Sequence, residues 1–217
     1  MSFTSNLLDQ INNYKEDFYT KNPKNVIFKK KQKLDCAKEI CQKFQLSELL
    51  DKTFYIIPNT NHLYFDYMVF KLYANEFNYE SIIVHTLNVI NNCVKMYDSL
   101  NVHIDLHTFT VSAGERYYKF VEMYINHCLI GSNTREYFIS EKLERLYLYN
   151  PPSVMDLLHK MFKSKIEHIK DKIKIIPKTE SKAALSQLLS IMPYNRLLGG
   201  TGGGDGYGEE EEVGENV

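Results

Sequence analysis

The sequence predicts an α/β protein: a mixed, mostly parallel sheet flanked by helices, preceded by an N-terminal helical lobe. Two observations carry that prediction. From Glu141 to Gly200 the chain reads as strand, helix, charged helical piece, strand and helix, and strands so far apart with helix between them form a parallel crossover rather than a hairpin. The first half alternates in the same way, segments rich in β-branched and aromatic residues giving way to segments of helical period.

The 217 residues allow one domain of about 150 to 200 residues plus tails, enough for a sizeable core. The expected divisions are a helical lobe at 1–51, the sheet domain at 52–198 and a disordered Gly- and Glu-rich tail at 199–217. That tail has too little apolar surface to fold.

Taken in order, Leu7, Leu8, Ile11, Tyr14 and Phe18 recur at helical spacing behind Ser5, an N-cap residue type, and Asn22-Pro23 ends that helix. A second helix runs from the lysines at 29, 30, 31 and 33 to about Leu50, with Cys36, Ile40, Phe44 and Leu49 along one face. The lysine run reads first as a solvated helix face, and second as a contact for anionic lipid headgroups at roughly 1 kcal/mol per residue. Thr53 to Ile57 and His62 to Leu72 read as strands joined by the turn Pro58-Asn59-Thr60-Asn61. Asn78 to Leu100 is a helix whose buried stripe is Ile83, Leu87, Ile90, Val94 and Tyr97. A strand follows from Val102 to Val111. Ser112 and Glu115 then have capping-box spacing for a helix that lines up Tyr117, Phe120, Val121, Tyr124, Ile125 and Cys128. Leu143 to Tyr149 is a strand broken by Asn150-Pro151-Pro152, Ser153 to Phe162 an amphipathic helix, Ile173 to Ile176 a strand, and the last helix reaches Met192. Crossovers of one hand are expected to dress both faces of the sheet.

Composition narrows the function classes. The 26 basic and 27 acidic residues lack the basic excess of a nucleic-acid binder, although Glu209 to Glu212 and Glu215 in the tail leave the remainder mildly basic. Cys36, Cys41, Cys93 and Cys128 form no CxxC pair, which points to a reducing compartment. No signal sequence and no apolar run near the ~20 residues of a membrane span are found. The expectation is a cytoplasmic protein whose membrane contact is peripheral.

The segment from about 100 to 200 resembles the CRAL-TRIO lipid-binding family, which includes phosphatidylinositol-transfer proteins. The resemblance rests on ordered features: Asn150-Pro151-Pro152 after a strand, an amphipathic helix from Ser153, Lys172-Ile173 opening a strand, and Leu197-Leu198-Gly199-Gly200 after the final helix. Asp105 and Leu106 match the family's Asp-Leu-x-Gly strand end, with Thr108 where the family has glycine, and Glu141 is what remains of its Tyr-Pro-Glu. The resemblance implies non-catalytic binding or transfer of a hydrophobic ligand, a phospholipid or phosphoinositide, with Glu141 and Lys172 at the inositol-phosphate headgroup. It makes the helix 153–162 a gate, with Val154, Leu158, Met161 and Phe162 on the ligand side. An alternative is the family's divergent branch, a scaffold for small-GTPase or regulatory partners whose pocket is filled by the chain's 16 tyrosines and 12 phenylalanines.

Each reading has a plainer rival. Glu141 and Lys172 also fit a solvated or salt-bridged pair, and the Met and Phe stripe also fits core. His103, Asp105 and His107 alternate along one strand in a way that could hold zinc or iron, yet they also fit a polar strand edge, so no metal and no cofactor are expected. GxSxG, Walker, GxGxxG and HExxH motifs are absent, and no enzymatic activity is expected.

Overall fold

The computed structural model describes residues 7–23, 29–128, 139–153 and 155–191. The N-terminal helices are α1 (Leu7–Lys21), α2 (Lys29–Lys43) and α3 (Leu46–Thr53). Leu8, Ile11 and Phe18 of α1 and Cys36 and Ile40 of α2 are buried, as their spacing predicts. The expected single helix to Leu50 is instead broken at Phe44–Gln45. Leu49 is fully buried on the separate α3, and Thr53 ends that helix by donating its hydroxyl to the Leu49 carbonyl at 2.7 Å.

Five strands follow among the described residues: β1 (Phe54–Ile56), β2 (His62–Phe65), β3 (Leu100–Asp105), β4 (Leu143–Tyr149) and β5 (Ile173–Ile175). Their spatial order is their sequence order. β1 and β2 are antiparallel and β2 to β5 are parallel, as the crossover pattern predicts. Between them lie α4 (Tyr67–Tyr73), α5 (Tyr79–Tyr97), α6 (Val111–Cys128), α7 (Ile139–Lys142), α8 (Met155–Ile166) and a 3-10 segment (Glu167–Lys172), with α9 (Lys178–Leu189) after β5.

Several boundaries differ from expectation, each for a local reason. The strand predicted to Leu72 stops at Phe65 because the Asp66 carboxylate accepts the Val69 N–H at 3.0 Å and starts α4. The helix predicted to Leu100 ends at Asp98, whose φ of 60° places it in the left-handed region. That leaves Tyr97 38% exposed, outside the buried stripe. The strand predicted to Val111 ends at Asp105, and Thr110, not Ser112, caps α6 by accepting the Ala113 N–H at 3.2 Å.

The two sheet faces differ. Leu63, Val102 and Leu146 pack with Ile90 and Cys93 of α5, Tyr124 of α6 and Ile169 of the 3-10 segment. On the other face Tyr64, Tyr149 and the neighbouring Ile57 and Ile176 pack with Leu185 of α9. Strands laid down in sequence order, with crossovers of one hand, keep their connecting helices on one side, so the expectation that the crossovers would dress both faces is corrected. The helix after β5 covers part of the second.

The largest core joins the N-terminal helices to α4, α5 and α6. Its centre is aromatic: Phe70 lies 4.9 Å from Tyr117 and 4.8 Å from Phe120, which lies 5.3 Å from Tyr79, measured between ring centroids.

Candidate functional site

A cleft of about 230 Å³ opens where the N-terminal helices meet the carboxyl ends of β2 and β3. Open α/β sheets bind ligands beyond the carboxyl ends of their parallel strands, because loops and helix N-termini converge there. Lys15 and Tyr19 of α1 and Lys33 and Cys36 of α2 form one wall. Tyr67, Lys71 and Leu72 of α4, Thr108 and Thr110 of the loop, and Ala113 and Arg116 of α6 form the other. Four of these residues are cationic, and none of the described lining residues is acidic.

Local geometry fixes the second wall. The Asp66 cap starts α4 directly after β2 and carries Lys71 to the cleft, where its ammonium donates to Thr108 Oγ1 at 2.8 Å. Thr108 has φ 64°, a left-handed conformation that costs a β-branched residue about 1–2 kcal/mol. The Thr108 hydroxyl thus holds the Lys71 ammonium from a left-handed turn. Burial, and next the charges of Lys15 and Lys33, push the Lys71 ammonium down to about 8. Arg116 Nε is buried without a hydrogen-bond partner among the described residues. Burial raises the Cys36 thiol to about 11, so at neutral pH it is an uncharged wall group and not a nucleophile.

A second polar cluster lies on the sheet face away from α5. His62 Nδ1 and His103 Nε2 are 2.6 Å apart, and His103 Nδ1 is 2.8 Å from the Tyr149 hydroxyl. The His103 ring stacks on Tyr147 at 4.7 Å with 2° between planes. His103 is 3% exposed; burial, then the His62 charge, lower its pKa to about 3, and burial lowers that of His62 as well. Both rings are therefore neutral at pH 7. At the edge of this cluster the ladder shifts register between Leu100 and Asn101, leaving Glu144 as an extra residue in β4. Its carboxylate accepts Asn101 Nδ2 at 2.7 Å, and bonds first from Ser99 and then from Asn101 hold it below the usual carboxylate range.

The residues expected to form a metal site are separated. His103 is committed to His62 and Tyr149, Asp105 accepts Asn150 Nδ2 at 2.7 Å, and His107 is exposed. Among the described residues, no three His, Cys, Asp or Glu side chains are placed to hold a metal ion.

Of the expected lipid-site residues, Lys172 is half-buried and its ammonium donates to the carbonyls of Ser140 at 2.7 Å and Leu143 at 2.6 Å. It thus reaches the segment that carries Glu141, which is exposed on α7. Phe162 on α8 is half-buried and stacks on Tyr118 of α6 at 5.6 Å. Val154 and the side chains of Leu158 and Met161 lie outside the described residues, as do Leu197 to Gly200 and the 199–217 tail. Among the described residues, no helix is long and apolar enough to cross a membrane.

Sequence reasoning did not connect Lys15, Lys33, Lys71 and Arg116. They come from four separate elements, and only Lys33 belonged to a noticeable run. No protein-family model and no curated protein matches the chain.

Proposed function

We propose that this protein is a non-catalytic binding module for a phosphoinositide, whose headgroup phosphates enter the basic cleft at the carboxyl ends of β2 and β3. The observation that carries the reading is the gathering of Lys15, Lys33, Lys71 and Arg116 around about 230 Å³ with no acid among the described lining residues. Charge-assisted hydrogen bonds to phosphate oxygens are among the strongest that Arg and Lys form, so a cleft of this lining favours an anion. Tyr19, Tyr67 and Leu72 supply apolar wall for the body of the headgroup. The resemblance to CRAL-TRIO proteins supports a lipid as the source of the phosphates.

The ring packing of Phe70, Tyr79, Tyr117 and Phe120 supports headgroup recognition at a membrane surface over enclosure of acyl chains. A transfer function with α8 as gate is the second reading. It draws on the contact of Phe162 with Tyr118, on the same helix as Arg116.

Vesicle sedimentation tests the proposal. Phosphatidylcholine vesicles doped with a phosphoinositide should pull down the parent protein, and the double variant Lys71→Gln, Arg116→Gln should stay in solution. Equal sedimentation of the two proteins would remove the cleft from the function. Native mass spectrometry after vesicle contact then decides between readings: a protein mass without retained lipid fits headgroup recognition, and one retained lipid per chain fits transfer.

A further inference from the structure

We propose that Lys71 is a reactive amine, which captures an aldehyde bearing a phosphate group as an imine inside the cleft. This goes beyond the phosphoinositide reading and does not rest on it.

Position comes first. Lys71 is half-buried on α4 and lines the cleft, and among the described residues no carboxylate forms an ion pair with its ammonium. Its neighbours are the Thr108 hydroxyl, which accepts from it at 2.8 Å, and the Tyr67 ring, whose centroid is 5.8 Å from the nitrogen. Thr108 donates its own proton to Met68 Sδ at 3.3 Å, which leaves an oxygen lone pair to hold the Lys71 nitrogen at one point of the wall. A lysine desolvated beside other cations is the arrangement that yields a nucleophilic amine. Lys15 of α1, Lys33 of α2 and Arg116 of α6 oppose its proton, and Asp66 at the start of α4 favours it. Tyr19 and Cys36, on the facing helices, are neutral, because burial raises them to about 12 and about 11.

The chemistry needs only the free amine. Its nitrogen adds to the aldehyde carbon, a proton passes from nitrogen to the carbonyl oxygen, and that oxygen leaves as water while the C=N bond forms. No oxidant or reductant takes part. Arg116 and Lys15 line the same cleft and attract the phosphate, while Tyr19 and Tyr67 offer flat wall to the body of the ligand.

The probe is pyridoxal 5′-phosphate on the full chain, with borohydride added to reduce the imine to a stable secondary amine and peptide mass spectrometry to locate it. Label should concentrate on Lys71 ahead of the exposed lysines, and its extent should rise with pH around 8, well before theirs. Pyridoxal, which lacks the phosphate, should label Lys71 about tenfold more slowly, because the cationic lining no longer draws it in. Lys71→Arg keeps the charge and a donor for Thr108, so it should keep the thermal midpoint of the parent and lose the label. Arg116→Gln should slow labelling by the phosphate probe more than labelling by pyridoxal. Label spread evenly over the surface lysines would overturn the reactive amine. Equal labelling of Lys71 by the two aldehydes would overturn the phosphate as the feature that the cleft selects. Neither result depends on whether the protein sediments with vesicles.

Discussion

On the sheet, His62, His103 and Tyr149 direct their ring and hydroxyl atoms at one another; in the cleft, Lys15, Lys33, Lys71 and Arg116 line a space that no described lining carboxylate neutralises. Both regions concentrate titratable groups. Burial lowers the pKa of His62 and His103, whose ring atoms are bonded within their cluster, and burial, then the charges of Lys15 and Lys33, lowers that of Lys71. A satisfied polar cluster is explained by the fold that it helps to specify. A cluster of like charges carries a cost, and under the proposed function an anionic ligand offsets it.

The largest effect that could break this contrast is expected at His103. His103→Leu removes the partner of both His62 Nδ1 and the buried Tyr149 hydroxyl, and urea unfolding should show a loss of about 3 kcal/mol with headgroup affinity unchanged. A loss of affinity would make the row part of the site. The same row sets an acid dependence. His103 titrates at about 3 when folded and near 6.5 when unfolded, so the unfolded chain binds the extra proton between those values. Stability should be full above pH 6.5 and decline as pH falls toward 3, and the decline should be shallower in His103→Leu.

Lys172 sharpens the contrast, because it is a cation with internal partners. Replacing it with alanine frees the Ser140 and Leu143 carbonyls and should cost about 2 kcal/mol in thermal or urea unfolding. Weakened headgroup binding at an unchanged midpoint would instead place Lys172 with the cleft cations in function.

Lys71→Gln should behave the opposite way, lowering headgroup affinity about tenfold, or ~1.4 kcal/mol, without lowering the midpoint of the unliganded protein. Around Lys71 stand Lys15, Lys33 and Arg116, which oppose its charge, and Asp66, which favours it. Its folded value of about 8 lies below the 10.5 of an unperturbed lysine, so stability should rise between those pH values as the unfolded chain alone keeps the proton. Headgroup affinity should fall over the same range, because a bound anion favours charged Lys71. Titration calorimetry at pH 7 and pH 9 checks this. The smallest effect is that of Thr108→Gly, which relieves a left-handed threonine and should add up to about 1 kcal/mol while loosening Lys71 and weakening binding slightly.

The element order was legible because its breaks are chemical: Pro58-Asn59, Asn150-Pro151-Pro152 and the change from alternating to helical period at Asn78 leave little choice. The segment Tyr67–Tyr73 was misread because its tyrosines, valine and phenylalanine favour strand as much as helix. The deciding group is the single Asp66 carboxylate, which caps the helix that does form. That error hid Lys71, since a residue assigned to a strand could not be seen beside Arg116. Sequence distance hid the rest, for nothing local links residues 15, 33, 71 and 116. The hydrogen bond between Thr108 and Lys71 exists only in three dimensions.

The order of the strands in the sheet has a consequence for how the chain is made. Each of β2 to β5 pairs with the strand synthesised just before it, so the growing edge is always ready for the next arrival. The buried residues of the largest aromatic core all fall between Leu8 and Phe120. By the time β4 leaves the ribosome, the walls of the basic cleft have already been synthesised, and β4 and β5 then extend the sheet from its growing edge.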